Sequence, residues 1–85
     1  MQIRLLAFAS AADALGSGER TFDVPAGTRV RDLRERLDRD FPALGPLWAR
    51  LAVAVDGRIG DAEQELTEGA EVALLPPVSG GSGAP

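Results

Sequence analysis

Glu71-Val72-Ala73-Leu74-Leu75-Pro76-Pro77-Val78-Ser79-Gly80-Gly81 decides how the rest of the chain is read. A short apolar run enters two prolines and then a diglycine. Adjacent prolines have no N–H to give and fix φ, so they cannot continue a sheet ladder. A strand is therefore expected to end at Pro76. Val72 and Leu74 point inward along it, and Glu71, Ala73 and Leu75 outward. Past the prolines, Val78-Ser79-Gly80-Gly81 has no apolar periodicity to hold it to a core. Four extended residues reach roughly 13–14 Å, at about 3.3–3.6 Å each. Glycine has no Cβ, so such an arm can thread a narrow channel in a partner. A glycyl carboxylate is also the least hindered one for a partner enzyme to activate. On composition alone, the same stretch through Pro85 equally reads as a frayed terminus.

Composition narrows what the remaining residues can do. A chain of 85 residues makes one small domain, and its 45% apolar content is ordinary for a globular protein. It has no Cys, His, Lys or Tyr, and every basic residue is arginine. That removes disulfides, thiolate metal sites and the commonest general base. Carboxylates, hydroxyls and arginines remain, which is poor equipment for an enzyme acting alone. The net charge of −4 argues against nucleic acid, which requires a basic face. No apolar run approaches the roughly 18–20 residues of a membrane span. Residues 1–12 mimic a signal peptide, but the apolar run is short and cleavage would remove the first strand. Cytoplasmic is the expectation.

Working back from the tail, residues 2–8 alternate, with Ile3, Leu5 and Ala7 on a core face and Arg4, Leu6 and Phe8 outside. Phe8 is then either covered by a neighbouring segment or a partner-binding aromatic. Residues 9–15 suit a short helix ended by Gly16-Ser17-Gly18. Residues 20–24 alternate again, with Phe22 and Val24 inward, and pair antiparallel with the first strand. Thr28 is placed to cap a helix, along which Val30, Leu33, Leu37 and Phe41 form one apolar stripe. Its opposite face is arginine-rich. The spacing predicts ion pairs Asp32–Arg36 and Glu35–Arg39, and the face reads as solvated rather than as a ligand patch. Pro42 ends the helix. Residues 43–50 connect, with Leu44, Leu47 and Trp48 packing under the sheet. Residues 51–55 form a strand, Asp56-Gly57 a tight turn, and Arg58-Ile59 a short return. The acidic run 61–65 reads as solvated, or as charge for a basic partner. A helix therefore lies across one face of a mixed sheet. If the first and last strands are neighbours, Phe8 and Leu75 share an exposed apolar patch, the usual mark of a partner site.

These residues resemble the MoaD/ThiS family of β-grasp, ubiquitin-like sulfur carriers, and within it the small subunit of molybdopterin synthase. The resemblance is carried by the Pro-Pro-Val-Ser-Gly-Gly ending. Leu5-Leu6-Ala7-Phe8-Ala9, Phe41-Pro42-Ala43-Leu44, Val53-Ala54-Val55-Asp56-Gly57 and Leu66-Thr67-Glu68-Gly69-Ala70-Glu71-Val72 add to it, in the family's order. It implies an α+β, β-grasp domain over residues 1–77, with four to five strands and one main helix, and a flexible tail over 78–85.

It also implies a chemistry. A ubiquitin-activating-like adenylyltransferase uses ATP to adenylate the Gly81 carboxylate, next to Gly80. Sulfur from a donor protein's persulfide replaces AMP to give a thiocarboxylate. The arm then delivers that sulfur to a pterin precursor in the large subunit of molybdopterin synthase. The chain itself binds no cofactor and no metal. Phe8, Leu74, Leu75, Pro76, Pro77, Val78 and Ser79 are implied partner contacts. One departure matters: the family commonly stops at the diglycine, whereas Ser82-Gly83-Ala84-Pro85 follows here. A processing protease trims those four residues, or they are a cloning remnant, or this copy carries no sulfur. Three other functions stay open: a sulfur carrier for cysteine, thiamin or a secondary metabolite, a ubiquitin-like protein modifier, and a plain binding module. Without lysine, a modifier of this sequence cannot build lysine-linked chains of itself.

Overall fold

The computed structural model describes residues 1–76; the expected tail boundary at 77/78 and everything after it lie outside those residues. Five strands form one sheet in the order β2-β1-β5-β3-β4. They are β1 (Gln2–Ala7), β2 (Glu19–Asp23), β3 (Ala52–Val55), β4 (Arg58–Ile59) and β5 (Glu71–Leu75). The central pair, β1 and β5, is parallel and the other pairs are antiparallel. Two helices, α1 (Ser10–Leu15) and α2 (Val30–Asp40), and a 3-10 segment (Pro42–Arg50) complete the domain. This is the β-grasp arrangement.

The core follows from the alternation of the strands and the stripe of α2. Ile3, Leu5, Val72 and Leu74 from the central strands meet Leu33 and Leu37 of α2, each no more than 2% exposed. Burial of side chains of this kind contributes roughly 1.5–3 kcal/mol each. Leu44 and Trp48 of the 3-10 segment are buried in the same core, with Leu47 partly buried against it. The Trp48 indole N–H donates to Asp38 Oδ1 at 3.3 Å, which satisfies the polar end of an otherwise apolar plug.

The start of α2 differs from the expectation. Arg29, not Thr28, occupies the capping position. The Thr28 hydroxyl is already committed to the Pro25 carbonyl at 2.7 Å. The Asp32 carboxylate instead accepts the Arg29 N–H at 2.9 Å, a charge-assisted bond at the positive end of the helix dipole. The expected Asp32–Arg36 and Glu35–Arg39 pairs do not form. Arg36 donates to the Asp23 carbonyl at 2.9 Å, pairs with Asp40 at 3.6 Å and lies 5.1 Å from the Phe22 ring centroid. Arg39 also turns to Asp40, at 3.8 Å. The Asp23 carbonyl of β2 and Asp40 at the end of the helix, the latter itself an i,i+4 neighbour of Arg36, take the arginines in place of Asp32 and Glu35.

The acidic run is exposed, as expected, and two of its carboxylates also pair with arginines at the start of α2. Glu63 lies 3.3 Å from Arg29 and 3.0 Å from Arg31, and Glu65 lies 3.7 Å from Arg29. The backbone beside it accepts the first N–H groups of the helix, Val30 to Gln64 O and Arg31 to Ala62 O, both at 2.9 Å. Helix N-termini leave such donors without intrahelical partners, and this loop supplies acceptors for them.

Candidate functional site at the outer sheet face and tail root

Parallel pairing of β1 with β5 sets Leu6 opposite Ala73 and Ala7 opposite Leu74. Extended by one residue, that register brings Phe8 level with Leu75, at the end of the sheet where β5 gives way to Pro76. Sequence reading made this neighbourhood conditional on strand order, and the structure supplies the order. Phe8 is 47% exposed, and Leu75 and Pro76 are partly so.

The antiparallel partners extend the patch. Leu75 faces Ala52, Ala73 faces Ala54, and Ala54 faces Ile59 across the outer surface. Alanines thus floor a shallow apolar area, with Leu6 and Phe8 on one side and Ile59 on the other. Ile59 is 72% exposed, and sequence reading missed it as a site residue. The signal was present in the two-residue Asp56-Gly57 turn. Its φ values of +50° and +85° are those a type I′ hairpin requires. Such a turn fixes register and so puts Ile59 on the face of Ala54. The turn is tied to β5 as well: Asp56 Oδ1 accepts the Glu71 N–H at 3.0 Å, and the Asp56 N–H donates to Glu71 O at 2.8 Å.

A charged border closes the other end of this face. Arg4 reaches Glu19 at 3.0 Å and Glu71 at 3.4 Å, joining β2, β1 and β5. All three side chains are about half exposed, so the pairs contribute little stability. Their effect is to mark where the apolar area stops.

Leu74 requires a correction. Expected among the partner contacts, it is 1% exposed and packed in the core, because it alternates with Leu75 on the strand. Only Leu75 of the two reaches the outer face. Pro77, Val78, Ser79, Gly80 and Gly81 lie outside the described residues. Among the described residues, no group of three or more His, Cys, Asp and Glu could hold a metal ion. No helix among them is long and apolar enough to cross a membrane.

Residues 5–81, a span that includes the patch, the prolines and the diglycine, match the ThiS family model. The chain belongs to the ThiS family. Its relatives include the molybdopterin synthase sulfur carrier subunit of Chlamydomonas reinhardtii, 32% identical over 83 residues, covering 95% of this chain and all of that one. A solved structure described as a putative molybdopterin converting factor, subunit 1, from Pyrococcus furiosus is 28% identical. It has a TM-score of 0.84 and covers 92% of this chain and 99% of that one. The small archaeal modifier protein 1 of Haloferax volcanii is 27% identical, with a TM-score of 0.80, covering 91% of this chain and 98% of that one. In this ThiS-family chain, then, β5 carries Leu75 on the outer sheet face and is followed in the sequence by the prolines and the diglycine.

Proposed function

We propose that this chain is the sulfur carrier subunit of a molybdopterin synthase, working through a thiocarboxylate on Gly81 once Ser82–Pro85 are removed. The observation that carries the reading is the parallel β1–β5 register, which ends at Ala7 and Leu74 and so brings the next residues, Phe8 and Leu75, level just before a Pro-Pro-Val-Ser-Gly-Gly sequence. A partner docked on that patch receives the tail at a fixed origin. Relatives named as sulfur carrier subunits over their full length support the same reading.

In this scheme the domain does no acid–base chemistry. An adenylating partner uses ATP to convert the Gly81 carboxylate to an acyl adenylate. A donor persulfide then displaces AMP, and the large synthase subunit takes up the sulfur. Phe8, Leu75, Ile59 and Pro76 hold the partner, with Pro77, Val78 and Ser79 as the lead into its channel. The lack of His, Cys and Lys costs the chain nothing, because its reacting atom is a backbone terminus. The cytoplasm, where these partners would work, is the proposed location.

Intact mass of the protein isolated from its own cells tests the proposal. The expected result is a chain ending at Gly81, with a fraction heavier by about 16 Da, as sulfur in place of oxygen requires at an activated acyl group. A population that always retains Ser82 onward contradicts it. The likeness to a small archaeal modifier protein supports a second reading, in which Gly81 is joined to lysines of other proteins. Diglycine remnants on target lysines would favour that reading over sulfur transfer.

A further inference from the structure

β2 is an edge strand, paired antiparallel with β1 on one side only. The hydrogen bonds of that pair show which of its backbone groups face outward. The Ala7 N–H donates to Gly18 O at 2.9 Å and the Val24 N–H to Met1 O at 2.8 Å. In an antiparallel ladder such closely bonded pairs recur at every second residue. Leu5–Arg20 and Ile3–Phe22 therefore bond inward, and the backbone groups of Glu19, Thr21 and Asp23 point away from the sheet. A further strand would have to use those six groups, and three of them are already taken. The Ser17 hydroxyl donates to Glu19 O at 2.6 Å and accepts the Glu19 N–H at 3.1 Å. The Arg36 guanidinium donates to Asp23 O at 2.9 Å. It is held there by Asp40, at 3.6 Å, and by the ring of Phe22, 5.1 Å away. Thr21, exposed at the middle of the strand, has no such cap among the described residues. The opposite edge, β4, is only two residues long, too short to template a partner.

We infer that Ser17 and Arg36 close the β2 edge against strand addition by a second copy of this chain. Two antiparallel β2 strands align over their whole length when Thr21 stands opposite Thr21 and Glu19 opposite Asp23. That register offers six bonds, two from each of three opposed pairs, and the caps leave only the two between the Thr21 residues. It also sets the Glu19 carboxylate against the Asp23 carboxylate on one face, and like charges directly opposite are unfavourable. The closure matters because of what lies on that face. By the β1–β2 register, Glu19, Thr21 and Asp23 share the outer side of the sheet with Leu6. Two sheets joined edge to edge would run their exposed apolar areas together, which invites aggregation. With the edge capped, Phe8, Ile59 and Leu75 can stay exposed for a different protein without the domain assembling with itself. The inference concerns the fold alone and stands whether or not Gly81 carries sulfur.

The test compares the full chain with a double variant, Ser17→Ala with Arg36→Met, which removes both caps and keeps an apolar stem over Phe22. Sedimentation equilibrium reads self-association, and amide exchange followed by NMR reads its location. Wild type is expected to stay monomeric, and the double variant to dimerise at least about tenfold more tightly, as the freed bonds require. The Thr21 N–H should become protected as the variant's concentration rises. Adding Thr21→Pro, which removes the central donor from an edge that tolerates proline, should return the variant to monomer. A folded double variant as monomeric as wild type overturns the inference, as does a dimer indifferent to Thr21→Pro or a wild type that already pairs through β2. One measurement needs no variant. In wild type the Thr21 N–H is expected to exchange at least about tenfold faster than the capped Glu19 N–H, and equal protection of the two overturns the inference. No activating enzyme, ATP or sulfur source enters these experiments, so their failure leaves the sulfur-carrier reading standing.

Discussion

Ala9 holds φ +52° and ψ −127° immediately after Phe8, a conformation that residues with a Cβ avoid. It is the first central residue of a tight turn in which the Ala11 N–H reaches Phe8 O at 3.1 Å. Ala9→Gly is expected to raise stability by about 1 kcal/mol, against the usual sign for a glycine substitution. A thermal melt would show it as a Tm increase of roughly 4–8 °C; a decrease would mean that the turn is not strained. Leu74 and Phe8 offer a sharper contrast at this scale. Leu74→Ala leaves a cavity in a full core and is expected to cost about 2–5 kcal/mol by urea unfolding. Phe8→Ala, at a half-exposed ring, is expected to leave the melt nearly unchanged. It should weaken capture of the activating enzyme or the large subunit by about tenfold or more, as loss of an aromatic anchor does. The Phe8 position was legible in the sequence as an outward aromatic on an alternating strand. Leu74 was legible as inward too, and only its assignment as a partner contact failed.

Among the elements, those with a clear period were legible and those fixed by competition were not. The stripe of α2 and the alternation of β1, β2 and β5 each follow from one local rule, and the buried residues are the expected ones. The helix cap and the i,i+4 pairs depend on which partner wins. Asp32 took the Arg29 N–H, and Arg36 took the Asp23 carbonyl, a contact from another element entirely. The exposure of the acidic run 61–65 was legible, but its arginine partners were not, since they lie about thirty positions away, as in the Arg31–Glu63 pair. The β3–β4 hairpin gives a test at this scale. Gly57 sits at φ +85°, so Gly57→Val is expected to cost about 1–3 kcal/mol, while Gly57→Asn costs less. Because the turn sets the register of Ile59, the Val variant should also lose partner binding beyond what its stability loss explains. Binding that tracks stability alone would remove Ile59 from the patch.

For the whole molecule, the decisive feature is the parallel pairing of strands from opposite ends of the sequence. No local pattern announces it, which is why the patch stood as a condition on strand order until the structure met it. Once met, the condition makes a single surface of Phe8, Leu75 and Ile59 beside Pro76. The diglycine was legible from the sequence alone, and its role is where the proposal extends past the fold. The most direct measurement compares two forms side by side, the chain cut after Gly81 and the full 85 residues, each given an activating enzyme, ATP and a sulfur source. The account predicts that the cut form gains about 16 Da and the full form none, since only the former offers a glycyl carboxylate to adenylate. A cut form that stays at its starting mass beside competent partners would contradict it.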